Sequence, residues 1–195
     1  MSEILGRPVR ADAQRNRDRL LEAAVHAFAS DGVEVTLDAI AKAAGVGIGT
    51  LYRHFPTRDA LVEAAYRQEL AHLCDAVPGL LRSLPSVEAT RAWMDGFIDY
   101  MTTKRYMAGA LQAVIASGGN PYAESRGRLI AAITALLDAG VTAGTLRSDV
   151  APNDVLLALS GVSLAAGEPA QRHQAGRLLD LLVDGLRHRA AASAP

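Results

Sequence analysis

Three consecutive side chains offer the clearest chemistry in this sequence of 195 residues, namely Tyr52, Arg53 and His54. A phenol, a guanidinium and an imidazole can each donate hydrogen bonds to phosphate oxygens. An ordinary amphipathic helix would fill such positions with Glu, Lys and Gln. The triplet therefore indicates contact with the phosphate backbone of a nucleic acid.

The patterns that would indicate an enzyme are weak. A G-x-G-x-G string runs from Gly45 to Gly49, but the segment before it is helical in character and the spacing differs from the dinucleotide fingerprint. The segment Gly161 to Ala165 matches a nucleophile elbow only in part, because the preceding strand is missing and alanine replaces the second glycine. No two histidines stand four residues apart, the helical spacing that favours zinc. They are His26, His54, His72, His173 and His188. The sequence predicts no enzyme, no metal and no cofactor.

A helix, a tight turn and a second short helix are predicted between residues 36 and 56. Ile40, Ala41 and Ala44 would form one small apolar face of the first helix. Thr36 can cap its start, because the threonine oxygen can accept a backbone N–H of the first turn. These features predict the first half of a helical hairpin.

Gly45 begins the second half of this hairpin. A glycine can adopt the positive φ that ends one helix and turns the chain into the next. Leu51 and Phe55 are four residues apart and would face inward. The outer surface of the second helix would then carry Ile48, Gly49, Thr50, Tyr52, Arg53 and His54. Such a unit is shaped to enter a groove of DNA.

The segment Thr36 to Leu61, above all GVGIGTLYRHFPTRDAL from Gly45, resembles the signature of the TetR family of bacterial transcriptional regulators. The resemblance implies an all-α homodimer in which an N-terminal three-helix helix-turn-helix DNA-binding domain joins a C-terminal helical ligand-binding and dimerisation domain. It implies phosphate contacts from Thr36, Tyr52, His54 and Arg58. It places nearest the base edges Ile48, Gly49, Thr50 and Arg53.

Asp38 departs from this pattern, since some relatives carry a basic or neutral residue near that position. A carboxylate cannot approach a phosphate favourably. Asp38 therefore either stabilises the positive end of its helix or accepts a hydrogen bond from a cytosine amino group.

Gly and Pro residues divide the chain into about nine predicted helices, and no segment has the pattern of a strand. We expect residues 1–60 to form a basic arm and the DNA-binding domain, and residues 61–195 to form the effector-binding and dimerisation domain. The first helix is predicted from Ala13 to Ser30, ended by Asp31-Gly32. The fourth helix, capped by Thr57, is expected to link the domains, and Pro78-Gly79 is expected to break the chain after it.

Positive charge clusters near the N-terminus, where Asp12 and Asp18 are outnumbered by Arg7, Arg10, Arg15, Arg17 and Arg19. The part of this segment before Asp12 also contains Gly6 and Pro8. This composition fits a flexible basic arm that lies in a minor groove, and it fits a solvated tail equally well. Both interpretations stay open.

The last two predicted helices begin at Pro152 and Pro169, and the former is expected to end at Gly167. Their apolar residues occupy more than one face, so the pair needs a second partner besides its own core. The economical partner is the same pair on a second subunit, although burial within the monomer is the alternative. We therefore expect a homodimer formed through these two helices.

The helices between the head and this pair hold most of the remaining aromatic and sulfur-bearing side chains. Small-molecule sites often lie between bundle helices and are mostly apolar, but a plain core uses the same residue types. The candidate effector pocket consists of Trp93, Phe97, Tyr100, Met101, Tyr106, Met107 and Tyr122. The scarcity of clustered charge predicts a small apolar or aromatic effector.

Composition agrees with a regulator that has only local positive charge. The net charge is −1, half of the residues are apolar, and Cys74 is the only cysteine. No internal disulfide is possible, and neither a signal peptide nor a membrane span is evident, so we expect a cytoplasmic protein. The function predicted is a repressor released from a near-palindromic double-stranded DNA operator by the effector. The alternative is a non-catalytic helical dimeric interaction module without an effector.

Overall fold

The computed structural model describes residues 6–30, 34–166 and 168–188, and this part of the chain is helical. Its α-helices are, in chain order, α1 (Gly6–Ser30), α2 (Leu37–Ala43), α3 (Ile48–His54), α4 (Arg58–Asp75), α5 (Val77–Ser83), α6 (Ser86–Tyr106), α7 (Ala108–Ala116), α8 (Ser125–Thr142), α9 (Pro152–Ala165) and α10 (Arg172–Leu186). Within these ranges extended pairing is limited to an isolated bridge between Leu146 and Arg187. The predicted all-α class is confirmed.

The described residues form ten α-helices where the sequence suggested about nine, and the additional one is α5. The break expected at Pro78-Gly79 is absent, since Pro78 lies in the first turn of α5. A proline is tolerated there because the first N–H groups of a helix have no partner within it.

The start of α1 corrects the prediction of a flexible arm before Asp12. The helix begins at Gly6 rather than near Ala13, so the residues between them are helical. Pro8 stands in its first turn, where the missing N–H costs nothing. The chain before Gly6 and the predicted stop at Asp31-Gly32 lie outside the described residues.

The C-terminal helices begin close to the predicted prolines. Pro152 is the first residue of α9, which ends at Ala165; the predicted stop, Gly167, lies outside the described residues. Pro169 opens a 3-10 turn to Gln171, and α10 follows from Arg172.

Packing divides the chain into two compact units. The first combines the chain up to Glu69 with Thr103–Pro121, and the second combines Leu70–Thr102 with the chain from Tyr122. Each of α4 and α6 therefore contributes residues to both units. The functional boundary predicted between residues 60 and 61 stays a prediction.

In the first unit, α1 packs against both α2 and α3. The predicted apolar stripe of α1 is buried at Leu20, Leu21, Ala24 and Phe28, and Ala27 is half-buried. These contacts hold α2 and α3 against α1.

In the second unit, α8 packs against α5 and α9, and α9 packs against α10. The Trp93 Nε1 group donates a buried hydrogen bond of 2.9 Å to the carbonyl of Leu73, near the end of α4. Carbonyls in the last turn of a helix lack helical partners, so this indole satisfies a backbone group that burial would otherwise leave unpaired.

Candidate DNA-binding surface

The start of α2 is held by Thr36, as predicted. Its backbone is extended, and its Oγ1 accepts a hydrogen bond of 3.2 Å from the N–H of Ala39. The hydroxyl remains exposed and can still donate. Asp38 stands in the first turn, where the helix dipole favours an anion.

The turn between α2 and α3 depends on Gly45, whose φ is +66°. Its N–H bonds to the carbonyl of Lys42 at 3.1 Å, and the N–H of Val46 bonds to the carbonyl of Ala41 at 3.0 Å. This pair of bonds is the Schellman motif, in which the residue after the helix is left-handed. A side chain at Gly45 would be strained, so glycine is required by the backbone.

The helix α3 has one buried side and one exposed side. Leu51 is fully buried and Phe55, which ends the helix, is 2% exposed. On the opposite side Tyr52 is 50% exposed, and Ile48, one turn earlier, is 37% exposed. Exposure of two large apolar or aromatic side chains on one short helix is unusual unless they meet a partner.

The other residues of α3 that were predicted to contact DNA are exposed or half-buried. Gly49 and Arg53 are exposed, while Thr50 and His54 are half-buried. The Arg53 guanidinium donates to Thr50 Oγ1 at 2.9 Å. The His54 ring is tilted against Phe55, with centroids 6.2 Å apart. These contacts orient the donors without covering the outer face of α3.

Arg58 is held within the head at the start of α4. Thr57 caps this helix through a bond from the N–H of Ala60 at 3.1 Å. The Arg58 guanidinium donates to the carbonyl of Val35 and lies 4.9 Å from the ring centre of Phe28. Arg58 thus stabilises the head, and its contact with a phosphate stays a prediction.

Arg17 of α1 is a further cation near α3, which the sequence patterns grouped with the other N-terminal arginines without giving it a role of its own. Its guanidinium carbon lies 4.8 Å from the ring centre of Phe55. The available signal was spacing, because Arg17 stands three and four residues before the buried Leu20 and Leu21 and therefore shares their side of α1.

The predicted effector residues are mostly core residues. Trp93, Phe97 and Tyr100 are at most 4% exposed and form a chain of tilted rings along α6 with centroids 6.0 and 6.2 Å apart. Met107 is fully buried, and Tyr106 is 43% exposed. Met101 and Tyr122 are half-buried. That these seven residues line an effector pocket stays a prediction.

The described residues contain neither a metal-binding cluster nor a membrane-spanning helix. Their His, Cys, Asp and Glu side chains form no group of three or more that could hold a metal ion. In the same part of the chain no helix is both long enough and apolar enough to cross a membrane.

The fold and this surface define the class of the protein. A helical head in which a left-handed glycine turn joins two short helices, the second with one side buried and the other exposed, has the geometry of a helix-turn-helix DNA-binding domain. Family models match both parts of the chain: "Bacterial regulatory proteins, tetR family" over residues 20–65, and "Transcriptional regulator SbtR-like, C-terminal domain" over residues 85–188. The chain belongs to the TetR family of transcriptional regulators.

Solved structures agree with this assignment along most of the chain. The TetR transcriptional regulator SCO0520 from Streptomyces coelicolor is 57% identical, with a TM-score of 0.85 over 89% of this chain and 99% of that one. A TetR transcription regulatory protein from Mycobacterium vanbaalenii is 33% identical, with a TM-score of 0.72 over 93% of this chain and all of that one.

Similarity to a curated protein is confined to a shorter segment. An HTH-type transcriptional regulator of Staphylococcus aureus (strain USA300) is 41% identical over 63 residues. This segment is 32% of the present chain and 34% of the relative, so the match spans about a third of that relative's length.

Family membership bears on two predictions. TetR-family regulators are transcription factors rather than enzymes, so the prediction of a non-enzymatic protein is confirmed. The sequence left open an alternative, a helical interaction module that does not bind DNA. That alternative does not agree with membership in a family of DNA-binding regulators.

Proposed function

We propose that this protein is a ligand-responsive repressor that binds a near-palindromic operator as a homodimer and leaves it when a small apolar or aromatic effector binds. The observation that carries the DNA-binding part is the exposed side of α3. Ile48, Gly49, Tyr52 and Arg53 are all exposed on a helix whose other side is buried.

The contacts with DNA divide into two kinds. Thr36, Tyr52, His54 and Arg58 bind phosphates and set the position of the head, and these contacts are sequence-independent. Ile48, Gly49, Thr50 and Arg53 lie nearest the base edges and supply selectivity. One such helix reads few base pairs, so a second head on a twofold axis, about 34–36 Å away or a multiple of that distance, is needed for a specific site.

The homodimer is supported by apolar side chains left at the surface of the last two helices. Leu157 and Leu164 of α9 are 57% and 83% exposed, and they are seven residues apart on one side of the helix. Leu181 of α10 is 69% exposed. Because α9 and α10 pack against each other, the same pair on a second subunit would complete a four-helix interface.

Selection of duplexes from a random-sequence library by the purified protein tests the DNA-binding part. We expect a near-palindrome to be enriched. Tyr52→Phe should then bind that duplex at least about tenfold more weakly, since a hydrogen bond to a charged group contributes about 1.5–3 kcal/mol. Tyr52→Ala and His54→Ala should abolish enrichment.

The matched control for Tyr52 is Tyr106, which is exposed to a similar degree outside the helix-turn-helix. Without an effector present, Tyr106→Ala should leave the enriched sequence and the affinity unchanged, because Tyr106 is proposed to meet the effector and not DNA. Equal losses for Tyr52→Ala and Tyr106→Ala, or no enrichment by the wild type, would contradict the proposed role of α3.

The effector part is tested by linkage. Aromatic and apolar compounds that raise the melting temperature of the protein should weaken operator binding, because the effector favours a conformation whose heads do not match the half-site spacing. The operator must then weaken effector binding by the same factor, typically 5–150-fold. A stabilising compound that leaves operator affinity unchanged is not such an effector, and a panel of compounds that all behave so would reject ligand-released repression.

A further inference from the structure

We propose that Arg17 is a further DNA contact, whose guanidinium rests on the ring of Phe55 and binds a backbone phosphate beside the end of α3. This inference rests on the proposed DNA-binding function. It adds a contact from α1, outside the two helices of the hairpin.

The first support is that a half-buried cation has no polar partner in the described part of the chain. Arg17 makes neither a hydrogen bond nor an ion pair with the described residues, and its guanidinium lies against the ring of Phe55. A guanidinium carries five N–H donors and stays charged. On the same helix Arg15 pairs with Asp12, and Arg19 donates to Asn16. The N–H donors of Arg17 are therefore available to a partner other than the described residues.

The second support is position. The Arg17 guanidinium carbon is 4.8 Å from the Phe55 ring centre, which in turn is 6.2 Å from the ring centre of His54. The Arg17 guanidinium carbon and the His54 ring centre are therefore no further apart than the sum of these two distances. Phe55 ends α3, so both donors stand at the same end of the exposed helix.

The third support is preorganisation. A planar guanidinium stacks well on an aromatic face, and its edge then remains available for phosphate oxygens in a forked geometry. Holding the group on a buried ring reduces the freedom that a long side chain loses when it binds. Phe55 is 2% exposed and is fixed by the packing of the head, so it provides a rigid platform.

Salt dependence of operator binding distinguishes a phosphate-binding role from a packing role. For Arg17→Gln we expect about tenfold weaker binding at moderate salt. The slope of log K against log salt should become shallower by about 0.9 for each phosphate that is no longer neutralised, hence by about 1.8 for the two heads of a dimer. Arg17→Lys keeps the charge and should retain most of the slope while binding more weakly than the wild type.

Arg15→Gln is the matched control, because it removes the same charge from the same helix at a residue already paired with Asp12. Its slope should match that of the wild type. A lower melting temperature for Arg17→Gln with an unchanged slope would show a purely structural role and overturn the proposal, as would equal slopes for both variants. Failure of the wild type to select any DNA would instead reject the proposed function.

Discussion

Replacement of both Leu164 and Leu181 by aspartate is expected to give a monomer that no longer binds the operator specifically. These two leucines are 83% and 69% exposed in the single chain. A carboxylate buried in an apolar interface without a partner loses its hydration, which is costly. Sedimentation at concentrations where the wild type is dimeric will measure the change.

Operator affinity should fall with the dimer. Two linked heads bind with an avidity that exceeds that of one head by about 100- to 10,000-fold, so we expect a loss of at least about 100-fold. The control is Ile115→Asp, which places one such carboxylate at a 46% exposed apolar residue of α7. A double variant that remains dimeric and folded would exclude α9 and α10 as the interface.

Two glycine-to-alanine changes in α8 are expected to have opposite effects on stability. A Cβ on Gly140 would lie 2.3 Å from Cδ1, 2.4 Å from Cγ and 2.9 Å from Cβ of Leu146, whereas a Cβ on Gly127 would meet nothing within 4 Å. Gly140→Ala should therefore cost about 1–3 kcal/mol, which is typical of overpacking. Gly127→Ala should add about 0.5–1 kcal/mol, because glycine is a poor helix former.

The clash at Gly140 cannot be relieved by rotation of the leucine side chain alone. The Cβ of Leu146 is set by its backbone, whose N–H bonds to the carbonyl of Gly140 at 3.1 Å. Thermal unfolding measures both variants, with a shift of about 2–4 °C per kcal/mol for a chain of this size. In Gly140→Ala/Leu146→Ala the two losses should be less than additive. Additive losses, or a stabilised Gly140→Ala, would disprove the close approach.

The helix-turn-helix was predictable because its determinants are local. The left-handed turn requires Gly45, the cap requires Thr36, and the inward side of α3 follows from the spacing of Leu51 and Phe55. Each involves residues at most five positions apart, a range over which the backbone geometry of a helix and its end is known in advance.

The prolines are harder to interpret because the same residue both ends and begins helices. Sequence patterns favour a break at Pro78 and a flexible arm around Pro8, whereas both prolines lie in first helical turns. A proline is disfavoured in the interior of a helix. Its presence alone does not indicate whether a helix has ended before the proline or begins at it.

Side-chain partners distant in the sequence could not be predicted. Trp93 is a candidate for an effector pocket by residue type, and its indole in fact donates to Leu73, twenty residues earlier. Arg58 bonds to Val35, and Arg17 stacks on Phe55. Such pairs depend on how helices pack, and helical periodicity gives no information about that.

The sequence by itself determined that the chain is helical and carries a helix-turn-helix whose second helix includes three consecutive hydrogen-bond donors, Tyr52, Arg53 and His54, because helix periodicity, capping and turn chemistry act over a few neighbouring residues. Tertiary structure alone decided which arginines already have hydrogen-bond or ion-pair partners, which aromatic rings fill the core and which leucines remain exposed. Those properties depend on residues brought together by packing, and a side chain becomes buried or stays exposed only when its distant neighbours are in place.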